Sequence, residues 1–328
     1  MMNTKINGKK QNKGIMSIIE NSLFGVFLAF VFLVVIMSVL SPSFLSSQNI
    51  FNILQQIAGI GIISVGMTFV ILLGGIDLSV GSIVAFTGLV MALAMKANVP
   101  VGLAILIGLV LGGLIGCLNG VLIAKLKIQP FIATLGTMTI ARGLAYTITN
   151  GQPVYSFSKS FKGISGFIGF VPKPAIVMLI IFALGYYVLT YTKFGRYVYA
   201  TGGNKVASKL SGINVFKLEI LVYTISGICC SIAAILLTSR LDSAVPVAGN
   251  GNELDAIAAV AIGGTSMTGG EGRIQGTLIG ALIMGVIANG MNLLNIQQGP
   301  QLFTKGAIII LAVTIDLIRK NGKKKLTA

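Results

Sequence analysis

The chain has 328 residues, 55% of them hydrophobic and only 10% charged, and its mean hydropathy is +0.92. A soluble domain carries about 25% charge, so one water-facing fold cannot hide this much apolar surface and a polytopic membrane protein is expected. The formal net charge of +16 would suit nucleic acid in a soluble protein. Here the basic residues sit in short segments between apolar runs, which points to membrane topology and lipid headgroups and not to nucleic acid.

The chain opens with a basic N-tail, 1–19, that leads straight into a long apolar run. A cleavable signal peptide would have a shorter apolar core and a small-residue cleavage site, so an uncleaved first span is expected. A bilayer core about 30 Å thick takes roughly 20 helical residues at 1.5 Å each. Segments of that kind lie near 20–40, 52–73, 76–96, 101–124, 131–149, 174–192, 218–238, 254–268, 276–294 and 302–318. The expected fold is therefore all-α, with about ten transmembrane helices in one membrane domain over 20–318 and a basic C-tail over 319–328. The third span begins inside "LLGGIDLSVG", and the eighth, from "LDAIAAVAIGG", is too short for a full crossing and reads as broken or tilted.

Ten spans put both termini on one side. Seventeen of the 24 Lys and Arg fall in the two tails and in the 125–130, 193–217 and 269–275 segments, against five on the opposite side. That asymmetry predicts both termini in the cytoplasm. Residues 119–136 align without gaps to 289–306, with Asn119/Asn289, Gly120/Gly290, Pro130/Pro300, Thr134/Thr304 and Gly136/Gly306 identical. The offset lays spans 4–5 over spans 9–10, as an inverted repeat of two five-helix halves would; chance similarity between glycine-rich helices is the other explanation.

Taken in chain order, the motifs have mostly plain explanations. "LLGGIDLSVGS" puts Asp77 just after Gly74 and Gly75, with Ser79 close by. Asp77 can cap a new helix or stand on a substrate pathway. "GLVLGGLIGCLNG" and "GTLIGALIMGVIANG" space small residues three or four apart, which lets helices approach closely in lipid. Asp255 could cap the eighth span, and Glu271 and Arg273 could pair in an inner turn. Arg142 and Lys305 lie within spans. Cys117, Cys229 and Cys230 all sit in apolar runs and there is no histidine, so no disulfide framework, metal site or cofactor is expected and an enzyme is disfavoured. No G-x-x-x-x-G-K-[ST] loop for nucleotide occurs.

The stretch "YATGGNKVASKLSGIN" lies in the longest predicted cytoplasmic loop. Asn204 should cap a short helix there and Gly212 should stop it. Val206 and Leu210 then share an apolar strip beside Lys205 and Lys209, suited to headgroups or to a partner's groove.

"TKFGRYVYATGGNKVASKLSGINVFKLEILVYTISG" and "DAIAAVAIGGTSMTGGEGRIQGTLIGALIMGVIANGMNLL", together with "GMTFVILLGGIDLSVGS" and "QPFIATLGTMTIARGLAYTITNG", closely resemble the permease subunits of ribose-type sugar ABC importers, in the branched-chain amino acid/ribose permease superfamily. The resemblance covers nearly all of the chain beyond the N-tail. It implies a paired membrane subunit, a homodimer by expectation, working with a cytoplasmic ATP-binding subunit and an extracytoplasmic sugar-binding protein. It also implies that 201–213 is the coupling helix that docks on the ATPase, so Gly202, Gly203, Asn204, Lys205, Lys209, Ser211 and Gly212 become coupling residues. Asp77, Ser79, Asn119 and Asn289 are the candidate pathway residues. An ABC permease for another small solute and an ion-coupled secondary transporter are the alternatives.

Overall fold

The computed structural model describes residues 22–327; the N-tail read over 1–19 lies outside them. Its helices are α1 (Ser22–Leu40), α2 (Ser47–Leu72), α3 (Val80–Lys96), α4 (Val101–Ala124), α5 (Pro130–Thr149), α6 (Lys159–Lys162), α7 (Lys173–Tyr191), α8 (Lys193–Gly203), α9 (Lys205–Leu210), α10 (Val215–Leu241), α11 (Asn252–Ile262), α12 (Ile274–Leu293) and α13 (Gln298–Thr327). All but α6, α8 and α9 fall on the ten predicted spans. Seven of them, α1, α2, α4, α5, α7, α10 and α12, are long and apolar enough to cross a membrane. The last helix runs on through the segment read as a C-tail.

Two spans are corrected. The third starts at Val80 instead of 76, because residues 73–79 leave the helix after Gly74 turns at φ +84°. The eighth ends at Ile262 instead of 268: α11 has 11 residues, about 16 Å of helix, roughly half of a bilayer core. Beyond it, Gly264, Gly269 and Gly270 adopt positive φ and hold 263–273 in turns.

The offset of 170 extends well past the aligned motif. It carries α2 onto 217–242, where α10 lies, α3 onto 250–266, over α11, α4 onto 271–294, over α12, and α5 onto 300–319, within α13. Packing obeys the same exchange: α3 rests on α4, α5 and α10, while α11 rests on α12, α13 and α2. The leading helices depart from it, since α1 maps onto 192–210. The second half inserts α8 and α9 between its first two spans, where the first half has only the link 41–46.

Close helix approach explains the glycine-rich motifs. A Cβ on Gly112 would strike Gly227 O and Ser231, one on Gly116 would strike Tyr223 O, and one on Gly120 the Ile220 backbone. Residue numbers rise along α4 as they fall along α10, so the pair is antiparallel and nearly backbone to backbone. The centre of the bundle is α2, α10 and α12, whose apolar windows are 61–67% buried, against 6% for α1 at the rim. Ile57, Ile62, Phe69, Val222, Tyr223 and Met284 belong to this core.

At the end of the bundle away from α8, β1 (Val154–Tyr155) pairs antiparallel with a strand at Ser243–Ala244, and Phe167–Ile168 pairs with Val171–Pro172. Asp242, at the end of α10, ties this loop down: it accepts the Phe157 N–H at 2.8 Å and pairs with Lys162 at 2.9 Å. The Phe157 N–H, then the Lys162 ammonium, hold its carboxyl below the usual carboxylate range.

Candidate functional site

The segment 193–212 forms two helices, of which only the second was legible as one. The Thr192 hydroxyl caps α8 through the Gly195 N–H (3.2 Å), and Asn204 caps α9 through the Ala207 N–H (2.9 Å). Gly212, at φ +82°, ends it. This is the left-handed conformation that glycine adopts without a Cβ penalty. Val206 is 71% and Leu210 85% exposed, an unpartnered apolar strip on the outside of the fold. Lys205 reaches back to Glu219 at the start of α10, so one flank of α9 is anchored and the other is free.

The inner end of this segment meets the two irregular turns of the bundle. Leu72 O, at the end of α2, accepts the Gly270 N–H at 2.9 Å. Gly202 lies against that same contact, and a Cβ there would overlap Leu72 O and come within 2.6 Å of Gly270 N. Gly203 packs under Gly270 but has open space where its own Cβ would be. Tyr199 donates to Gly272 O at 3.0 Å, and burial raises its hydroxyl pKa, with the charge of Arg273 acting in the opposite direction. Gly202 and Gly203 thus meet Leu72 and Gly270 through backbone atoms, which cannot yield as a flexible side chain would.

Three of the four candidate pathway residues form one network. Asp77, fully buried, accepts from the Ser79 N–H at 3.0 Å, the Ser79 hydroxyl at 2.5 Å and the Ser226 hydroxyl of α10 at 2.9 Å. Asn119 of α4 donates to Ser79 Oγ at 2.9 Å and accepts from the Thr137 hydroxyl of α5 at 2.7 Å. Asp77 thus closes the turn before α3 and does not cap that helix; Ser79 is its N-cap residue and makes no side-chain cap bond. Asn289 lies apart from this group. It exchanges hydrogen bonds of 2.9 and 3.0 Å with Asn49, joining α12 to α2. All four side chains are buried and hydrogen-bonded, as polar groups among apolar helices require.

Other expectations are revised. Asp255 does not cap α11; it is inside the helix and pairs with Lys305 of α13 at 2.8 Å. Glu271 and Arg273 form no ion pair among the described residues. Arg142 and Lys305 gave no signal beyond their presence in spans. Yet Lys305 joins α11 to α13, and Arg142 donates to Pro246 O and Ala248 O at 2.5 and 2.8 Å. Their partners lie 50 to 106 residues away, beyond the reach of any local pattern.

Residues 49–313 match the family described as branched-chain amino acid transport system / permease component. The chain belongs to this permease family. Among similar proteins, the ribose import permease protein of Haemophilus influenzae is 48% identical over 305 residues, 92% of this chain and 94% of that one. The ribose import permease protein of Bacillus subtilis is 48% identical over 298 residues, 89% and 92% of the two chains. The D-allose transport system permease protein of Escherichia coli is 43% identical over 297 residues, 89% and 91%. No solved structure matches the chain. As a permease of this family, the chain is a multi-pass membrane transport subunit, and the described geometry gives it two broken spans with one external segment touching both.

Proposed function

We propose that this chain is the permease subunit of an ATP-driven importer for ribose or a closely related small sugar. The observation that carries the reading is near-full-length 48% identity to ribose import permeases of two distant bacteria. The allose-permease relative supports leaving the sugar's identity at that class.

In this reading α8 and α9 face the cytoplasm, with both termini, and the exposed Val206–Leu210 strip seats in a groove of a separate ATP-hydrolysing subunit. An extracytoplasmic sugar-binding protein delivers the solute to the opposite end, and a second permease copy completes the path within the lipid. ATP binding on the partner moves the coupling segment, including Gly202, Gly203, Asn204, Lys205, Lys209, Ser211 and Gly212. Leu72 and Gly270 transmit that motion to the turns before α3 and after α11. Asp77, Ser79 and Asn119 hold the first turn while α10, α4 and α5 shift about it, and Asn289 keeps α12 with α2. Nucleotide shifts the equilibrium only because the ATPase binds the two arrangements of this segment with different affinity.

Reconstitution tests the reading. Proteoliposomes holding the permease, its ATPase and the sugar-binding protein accumulate labelled ribose on addition of ATP. Accumulation driven by an ion gradient with no ATPase present would establish a secondary transporter instead.

A further inference from the structure

Arg142 sits seven residues before the end of α5, about 10 Å inside the helix. A guanidinium at hydrocarbon depth is costly unless it serves a protein interior or an aqueous path. Its Nη1 is committed to Pro246 O and Ala248 O of the non-helical stretch before α11. That nitrogen carries two of the five guanidinium donors, and the other three have no protein acceptor among the described residues. Glu253, in the first turn of α11, accepts only the Gly251 N–H, at 3.2 Å. It holds the same non-helical stretch that Arg142 holds, yet the two form no ion pair among the described residues. Opposite charges are therefore both bound to one non-helical stretch, 246–251, each with spare hydrogen-bonding capacity.

The face around them is open. Asn250 is exposed, and Val247 is 56% exposed. Irregular backbone and an exposed amide packed among membrane-spanning helices cannot be satisfied by lipid chains.

We propose that Arg142, Glu253 and Asn250 form a weak intramembrane site for a polyhydroxylated solute, whose hydroxyls donate to the Glu253 carboxylate and accept from the Arg142 guanidinium. The proposal rests on the sugar-permease reading and adds a site to it. A hydroxyl is donor and acceptor at once, so one sugar can bridge a gap that neither charge spans alone. A site of this kind lets the solute enter and leave easily, since it replaces water without trapping the cargo.

Equilibrium binding of radiolabelled D-ribose to the full chain in lipid nanodiscs tests it, with leucine as the non-polyol control. Saturable binding of ribose but not leucine is expected. Glu253→Gln and Arg142→Gln should each weaken it about tenfold, the effect of losing one hydrogen bond to a charged group. Arg142 also holds backbone in place, so if that variant fails to fold, Glu253→Gln, which disturbs only one N–H contact, carries the test. No saturable binding by the wild-type chain, or unchanged binding by Glu253→Gln, overturns the site. ATP-driven ribose uptake by the wild-type assembly is measured alongside; uptake without such binding refutes the site alone, whereas no uptake of any sugar refutes the reading beneath it.

Discussion

Gly202 and Gly203 are neighbours of identical chemistry, and the fold treats them differently. Gly202 lies against Leu72 O and Gly270 N, whereas a Cβ on Gly203 meets nothing within 4 Å. Gly202→Val should overpack the joint by about 1–3 kcal/mol and lower the sugar moved per ATP hydrolysed, while Gly203→Ala should transport normally. Equal loss in both variants would mean that the Leu72–Gly270 contact is not the route of coupling. Asp77 allows a second comparison. Asp77→Asn keeps the shape, and its amide can donate to Ser226, so it should cost about 1 kcal/mol; Asp77→Ala strands Ser79 and Ser226 and should cost about 3 kcal/mol. Thermal unfolding in detergent reads the difference. Some of this was legible in the sequence: the Asn204 cap and the Gly212 stop are local, and local chemistry fixes them. The constraint on Gly202 was not, because it comes from residues about 70 and 130 positions away in the sequence.

Among the elements, the long spans were readable because roughly 20 apolar residues in a row admit few other structures. The failures fall where a helix is short or its surroundings decide its end. The segment "KFGRYVYATGG" contains three glycines and reads as loop, but α8 forms because Thr192 caps it and Tyr199 and Val198 pack against the bundle. The ends of α3 and α11 depend on glycines at positive φ and on turns held by distant helices. The loop fastened by Asp242 carries its own prediction. A carboxyl held below its ordinary pKa contributes order that is complete above the unfolded value of about 3.9 and is lost as pH falls through the lower folded one. Hydrogen exchange in 150–165 should therefore be flat from pH 5 upward, after correction for intrinsic rates, and rise below about pH 4. Asp242→Asn should exchange faster at neutral pH.

For the whole molecule, the repeat and the insertion together give the account its shape. Two related four-helix sets, α2–α5 and α10–α13, each break at one short helix. Of the two helices inserted between the second half's first two spans, α8 touches both breaks: Gly202 lies against Leu72 O and Gly270 N, and Tyr199 donates to Gly272 O. A device that shifts one external segment thereby acts on both halves together, which is what opening to alternate sides requires. The repeat was visible in the sequence at five positions, but the swapped packing of α3 and α11 was not, because it exists only between helices far apart in the chain. The most direct measurement is ribose uptake and ATP hydrolysis, recorded together, in proteoliposomes holding this chain, its ATPase and the sugar-binding protein, with Gly202→Val beside the wild type. The account predicts ATP-dependent uptake by the wild type, and in the variant continued hydrolysis with uptake largely lost. Uptake that persists without the ATPase, or a variant that transports as many sugars per ATP as the wild type, would contradict it.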